Sequence, residues 1–95
     1  NLDTFTLWTD VLQYLGEFDT AIEILLEASN VLPDEYEMEY RLAGLYFLTD
    51  DVTKGNLHLM NGMKLNLKQL SLFQELFPVV WERTEVQKTI MKFKK

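Results

Sequence analysis

Apolar residues in the first half of the chain recur at steps of three and four, the spacing that gathers them on one side of an α-helix. Phe5, Trp8, Leu12 and Leu15 form one such stripe. They predict a helix from Thr4 to Tyr14, capped by Asp3 or Thr4 and ended at Leu15-Gly16-Glu17. Ala21, Ile22, Leu25, Leu26 and Ala28 predict a second helix from about Phe18 to Asn30, which stops ahead of Pro33. Pro33-Asp34 opens a third, from about Glu35 to Leu48, with Leu42, Leu45, Tyr46 and Leu48 inward. Asp50-Asp51 closes it and caps a fourth, from about Val52 to Leu65. Asn66 caps a fifth from about Leu67 to Phe77, with Leu70, Phe73, Leu76 and Phe77 apolar, and Pro78 ends it. Thr84-Glu85-Val86-Gln87 reads as a capping box opening a last helix from Glu85 to about Phe93, which buries Val86, Ile90 and Phe93. Nothing alternates with period two over a useful length, so no sheet is expected.

The first four helices also carry a longer regularity. Phe5 through Pro33 reads in register against Glu39 through Leu67. Trp8 then lies over Leu42, Leu12 over Tyr46, Phe18 over Val52, Ala21 over Gly55, Leu25 over Leu59 and Ala28 over Gly62. A period of about 34 residues is the mark of stacked helix-turn-helix units, each burying its apolar face on its neighbour. The same register accounts for two glycines inside the fourth helix, each of which costs about 1 kcal/mol relative to alanine. Gly55 and Gly62 coincide with Ala21 and Ala28, so all four are read as small residues where helices cross closely.

These residues resemble the tetratricopeptide repeat family. The first unit supplies Phe5, Trp8, Leu12, Gly16, Phe18, Ala21, Leu25, Ala28 and Pro33 in the family's order of large, small and turn positions. The second keeps Leu42, Ala43, Tyr46, Val52, Gly55, Leu59 and Gly62, but has Glu39 for the large residue, Asp50 for the turn glycine and Leu67 for the proline. A third unit starts with Phe73 and Leu76 and departs at Pro78. The resemblance implies an all-α domain over residues 1–95: a helix-turn-helix solenoid with repeat one at about 2–35, repeat two at about 36–69 and a capping helix pair at about 70–95. It also implies a C-terminal piece of a longer repeat protein, an expectation that the helical pattern at the first residues supports.

In such arrays the first helices of successive units line a groove that receives a peptide or helix. The resemblance puts Thr6, Asp10, Gln13 and Tyr14 in that groove from the first unit, and Glu37, Tyr40, Arg41, Gly44 and Phe47 from the second. Members that grip an acidic chain terminus use lysine, arginine and asparagine there; this chain has Thr6, Asp10, Arg41, Ser71 and Glu75, of which only Arg41 is cationic. A basic or apolar segment fits better, with Tyr40 and Phe47 as flat anchors and Asp10 and Glu37 steering cations. Alternatively, Tyr14, Tyr40 and Phe47 pack against preceding repeats.

Charge sharpens this picture. Residues 1–51 carry twelve acids against Arg41 alone, a net of -11, whereas residues 52–95 carry eight basic residues against three acids, a net of +5. The asymmetry either complements helix dipoles or steers partners. An acidic half of that strength disfavours nucleic acid. No apolar run approaches the roughly 20 residues of a membrane span, so no membrane insertion is expected. The chain has no cysteine, which removes disulfide and thiolate chemistry and fits a reducing compartment, the cytoplasm.

Other candidate chemistry is thin. His58 is the sole histidine, too few for a two-histidine zinc site. Asp50-Asp51 and the cluster of Asp34, Glu35, Glu37 and Glu39 lack the alternating ligands and central glycine of a calcium loop. Met60, Met63 and Met91 fill core gaps or form a pliable patch. The expectation is therefore a protein-protein interaction module with no enzymatic activity, cofactor or metal. Two other roles stay open: a docking appendage of a larger enzyme or signalling protein, and a homo-oligomer in which an acidic front meets a basic back.

Overall fold

Helical periodicity becomes helix along nearly the whole chain. The structure, a computed structural model, describes residues 2–95 and contains α1 (Leu2–Tyr14), α2 (Phe18–Val31), α3 (Tyr36–Leu48), α4 (Val52–Asn66), a 3-10 turn (Leu67–Gln69), α5 (Leu70–Leu76), α6 (Pro78–Trp81) and α7 (Thr84–Lys94). It is all-helical, with no strand among the described residues.

The first two hairpins, α1–α2 and α3–α4, keep the register that pairs Phe5 with Glu39. In that register Leu2 and Tyr14, the ends of α1, fall on Tyr36 and Leu48, the ends of α3; Phe18 and Val52, which open α2 and α4, coincide as well. Their turns share hydrogen bonds too. The N–H of Glu17 donates to Leu12 O at 2.8 Å, and the N–H of Asp51 to Tyr46 O at 2.9 Å. Gly16 N–H donates to Gln13 O and Asp50 N–H to Phe47 O, both at 3.1 Å. This pair of bonds is the Schellman closure, which requires a left-handed residue at the helix end. Gly16 has φ of 78° and Asp50 a φ of 64°, so the aspartate occupies the glycine's conformation. Asp51 then caps α4 by accepting from Lys54 N–H at 3.2 Å, as its sequence position suggests.

Three caps differ from expectation. Helix α1 starts at Leu2, which places Asp3 and Thr4 inside its first turn rather than ahead of it. Asn66 makes no side-chain cap; its carbonyl accepts from the Tyr40 hydroxyl at 2.8 Å. The capping box does not form either, because α7 begins at Thr84 with Arg83 in the cap position. Gln87 instead reaches back to donate to Trp81 O at 2.6 Å. Pro78 ends α5 but also opens the short α6, where its missing N–H costs nothing.

The core lies around α3. An alanine Cβ at Gly55 would sit 2.9 Å from the Phe47 ring, and one at Gly62 would sit 2.7 Å from the Tyr40 ring. The two glycines of α4 thus let two aromatic rings of α3 lie flat on its backbone, the packing role read from the sequence. Phe73 meets Tyr40, Phe77 and Trp81 with centroids 5.7–6.2 Å apart, in tilted pairs that favour aromatic packing. Helix α7 closes the far side of α4 with Val86 and Ile90 buried and Thr89 donating to Asn56 Oδ1 at 2.8 Å. Of the methionines weighed in the sequence, Met63 is core, while Met60 and Met91 are exposed.

Candidate interaction surface

The residues expected to line a groove are distributed among three different roles. Arg41, buried on α3, donates through Nη1 to Asp10 Oδ1 on α1 and through Nε to Glu37 Oε2 at 3.4 Å. The two carboxylates compensate the buried guanidinium, so this trio is a clamp between α1 and α3. Thr6 donates to Asp3 O at 3.1 Å, and Gln13 reaches Leu76 O at 3.4 Å, joining α1 to α5. Tyr14 stands 90% exposed at the end of α1.

Tyr40 and Phe47 overturn their assignment as flat anchors for a partner. Both are fully buried, Tyr40 over Gly62 and Phe47 over Gly55 of α4, so neither is available on the surface. Gly44 is covered too: a Cβ there would overlap the Phe77 ring, which the α5–α6 junction lays across α3. Face counting missed this because α5 and α6 close over that side of α3. Burial also governs the Tyr40 hydroxyl, whose pKa is pushed up from 10 to about 12 by desolvation, with a smaller contribution from Tyr36.

A different face of α1 is open. Phe5 and Leu12 turn partly inward beside buried Thr9, but Trp8 and Leu15, expected in the same stripe, are exposed. The inward face is therefore rotated toward Thr9, and the outer face carries Thr4, Leu7, Trp8, Val11, Tyr14 and Leu15. Thr4, Leu7, Trp8 and Val11 line a shallow depression of about 270 Å³. The sequence held a sign of it: with one stripe assigned, Leu7, Val11 and Tyr14 remain as a second apolar series on the same helix.

A spacing of 34 residues sets this exposed face of α1 beside a buried face of α3. Trp8 is 54% exposed and its counterpart Leu42 is 1% exposed; Val11 is 49% exposed and its counterpart Leu45 is 0%. On α3 this face packs in one core with Ala21, Leu25 and Ala28 of α2, and Ser29 Oγ meets Met38 Sδ at 3.9 Å. On α1 no described helix lies in the place that α2 occupies for α3.

One polar cluster remains. Glu39 accepts from Asn61 Nδ2 at 3.0 Å and pairs with His58 Nδ1 at 2.7 Å, while the His58 ring stacks on Tyr46. In the first hairpin the positions of Glu39 and His58 are held by Phe5 and Ile24. The two bonds across α3 and α4 occupy both oxygens of Glu39. Among the described residues no group of three or more histidine, cysteine, aspartate and glutamate side chains is placed to hold a metal ion. Among them, too, no helix is long and apolar enough to cross a membrane. Comparison with protein-family models, curated proteins and solved structures returns no match.

Proposed function

We propose that this chain is a protein-protein interaction module of tetratricopeptide-like architecture, whose docking surface is the outer face of α1. Two matching hairpins, their shared turn closure and the small residues at the helix crossings support the architecture. The observation that carries the function is the contrast between α1 and α3: an apolar face covered by α2 on one helix lies open on the other. Burying Leu7, Trp8 and Val11 under an incoming helix recovers roughly 25 cal/mol for each square ångström of apolar surface removed from water. A half-exposed tryptophan at the centre is the usual chemistry of an interface anchor. Five exposed acids of the first hairpin, Asp3, Glu17, Asp19, Glu23 and Glu27, favour a partner with basic flanks, Asp10 being taken by Arg41.

The test uses the internal template. A helix-stapled peptide with the sequence of residues 17–32, which covers α2, carrying Glu17→Lys, Asp19→Lys, Glu23→Lys and Glu27→Lys at its exposed positions to supply the basic flanks, is titrated into a Trp81→Phe variant so that Trp8 alone reports. Saturable blue-shifted emission is expected, and a fluorescein-labelled form of the peptide should lose its rise in anisotropy when Trp8→Ala is made. A Trp8 spectrum unmoved by the peptide at millimolar concentration removes the reading.

A further inference from the structure

We propose that the cleft between α4 and α7 is a second docking site, which takes an acidic peptide and seats one large apolar side chain of it. The cleft holds about 290 Å³ and is lined by Asn56, Met60, Thr89, Lys92 and Phe93, so both of its walls are described helices of this chain. The α1 face plays no part in it. Thr89 donates to Asn56 Oδ1 at 2.8 Å, which ties the two walls together. The Asn56 amide nitrogen has no acceptor of its own among the described residues and is left to donate to an incoming carbonyl or carboxylate. Met60 and Phe93 supply the apolar surface, Met60 exposed and Phe93 half-buried.

Volume and charge decide the kind of occupant. Clefts that enclose a free small molecule run to roughly 300–1,000 Å³. This one falls below that range, which suits a single leucine or aromatic side chain of a ligand that is held by charge as well. Helix α4 carries no carboxylate in its 15 residues, and the one on α7, Glu85, lies 3.8 Å from Arg83. Lys92 stands on the cleft itself, Lys88 lies one helical turn before it on α7, and Lys64 one turn beyond Met60 on α4, so both fall beside the cleft. All three lysines are exposed, and none is in an ion pair among the described residues. The positive charge around the cleft is thus uncompensated within the protein, and an acidic partner is the one it attracts. A lipid surface would satisfy the charge but offers no side chain to fill the recess.

Fluorescence anisotropy with two synthetic probes tests this. The first is a fluorescein-labelled peptide with phenylalanine at its centre and glutamates on both sides; the second has serine in place of the phenylalanine. At low salt the first is expected to give a saturable rise that fades as salt screens the charges, and the second to bind about tenfold more weakly. Lys92→Glu and, separately, Met60→Asp should each weaken the first probe by about tenfold or more, while Trp8→Ala leaves it unchanged. Both substituted side chains are exposed, so the variants are expected to keep the fold, which circular dichroism verifies. No saturable rise at millimolar peptide overturns the proposal. So does equal binding of the two probes, the mark of a bare charged patch, and so does binding that survives both Lys92→Glu and Met60→Asp. Sedimentation with phosphatidylserine vesicles supplies the last arm: capture of the protein that is lost in Lys92→Glu, with no binding of the peptide, assigns the surface to a lipid membrane and overturns the proposal. Each of these outcomes leaves the α1 reading standing, because that reading rests on Trp8 and a basic partner.

Discussion

The two hairpins are built on one plan and buried to different extents. Helices α1 and α3 have equal length and the same turn closure, yet α3 buries nine residues and α1 only Thr9. The difference is in neighbours: α3 is packed by α2, α4, α5 and α6, whereas α1 rests chiefly on α2. A residue's stabilising effect thus depends on what packs against its helix as much as on its own side chain.

Paired substitutions at matching places in the two hairpins expose this most sharply. Leu42→Ala leaves a cavity in the core and is expected to cost about 2–5 kcal/mol. Trp8→Ala, at the equivalent place on α1, is expected to change stability by less than about 1 kcal/mol despite removing a larger side chain. Urea denaturation of both variants measures the contrast, and equal losses would mean that α1 is as enclosed as α3.

Tyr40 supplies the next largest effect, and one that the first hairpin lacks because Thr6 stands at the matching position. In the fold its hydroxyl keeps its proton up to about 12, against 10 in the unfolded chain. The folded state therefore holds that proton more tightly, and the associated stability is complete below pH 10 and lost as pH rises through 12. The gap corresponds to about 2–3 kcal/mol. Tyr40→Phe should flatten that part of the stability-pH curve while costing about 1 kcal/mol at neutral pH for the hydrogen bond to Asn66 O.

Smaller shifts probe the helix crossings and turns. Gly62→Leu drives a side chain into the Tyr40 ring and is expected to destabilise by about 1–3 kcal/mol through overpacking, read as a lowered Tm. An unchanged Tm would remove the account of both α4 glycines. Asp50→Gly relieves a left-handed residue and should raise stability by up to about 1 kcal/mol, whereas Gly16→Asp should lower it by a similar amount.

What could be read from the sequence was mostly local. Helix register and the Gly16 and Asp51 turn roles follow from spacing within one or two turns of chain, and the packing role of the small residues at 55 and 62 from their match to Ala21 and Ala28 at an interval of 34. The buried face of α1 did not, because Phe5, Trp8, Leu12 and Leu15 form as good a stripe as the one actually covered, and only the position of α2 chooses between them. Tyr40 and Phe47 were misplaced for a related reason: α3 is apolar nearly all round, and the closure of α5 over it depends on Phe77 resting on Gly44. Pro78 carries two local meanings, helix end and helix start, and here it serves as both.

Native-state amide hydrogen exchange of the monomer at high salt tests the central contrast most directly, because it reads the stability of each helix separately. The amides of α3 and α4 are expected to exchange most slowly, and those of α1 well ahead of them, with protection of α1 rising when its outer face is covered. Protection of α1 equal to that of α3 in the free monomer would contradict the claim that an uncovered face sets the two hairpins apart.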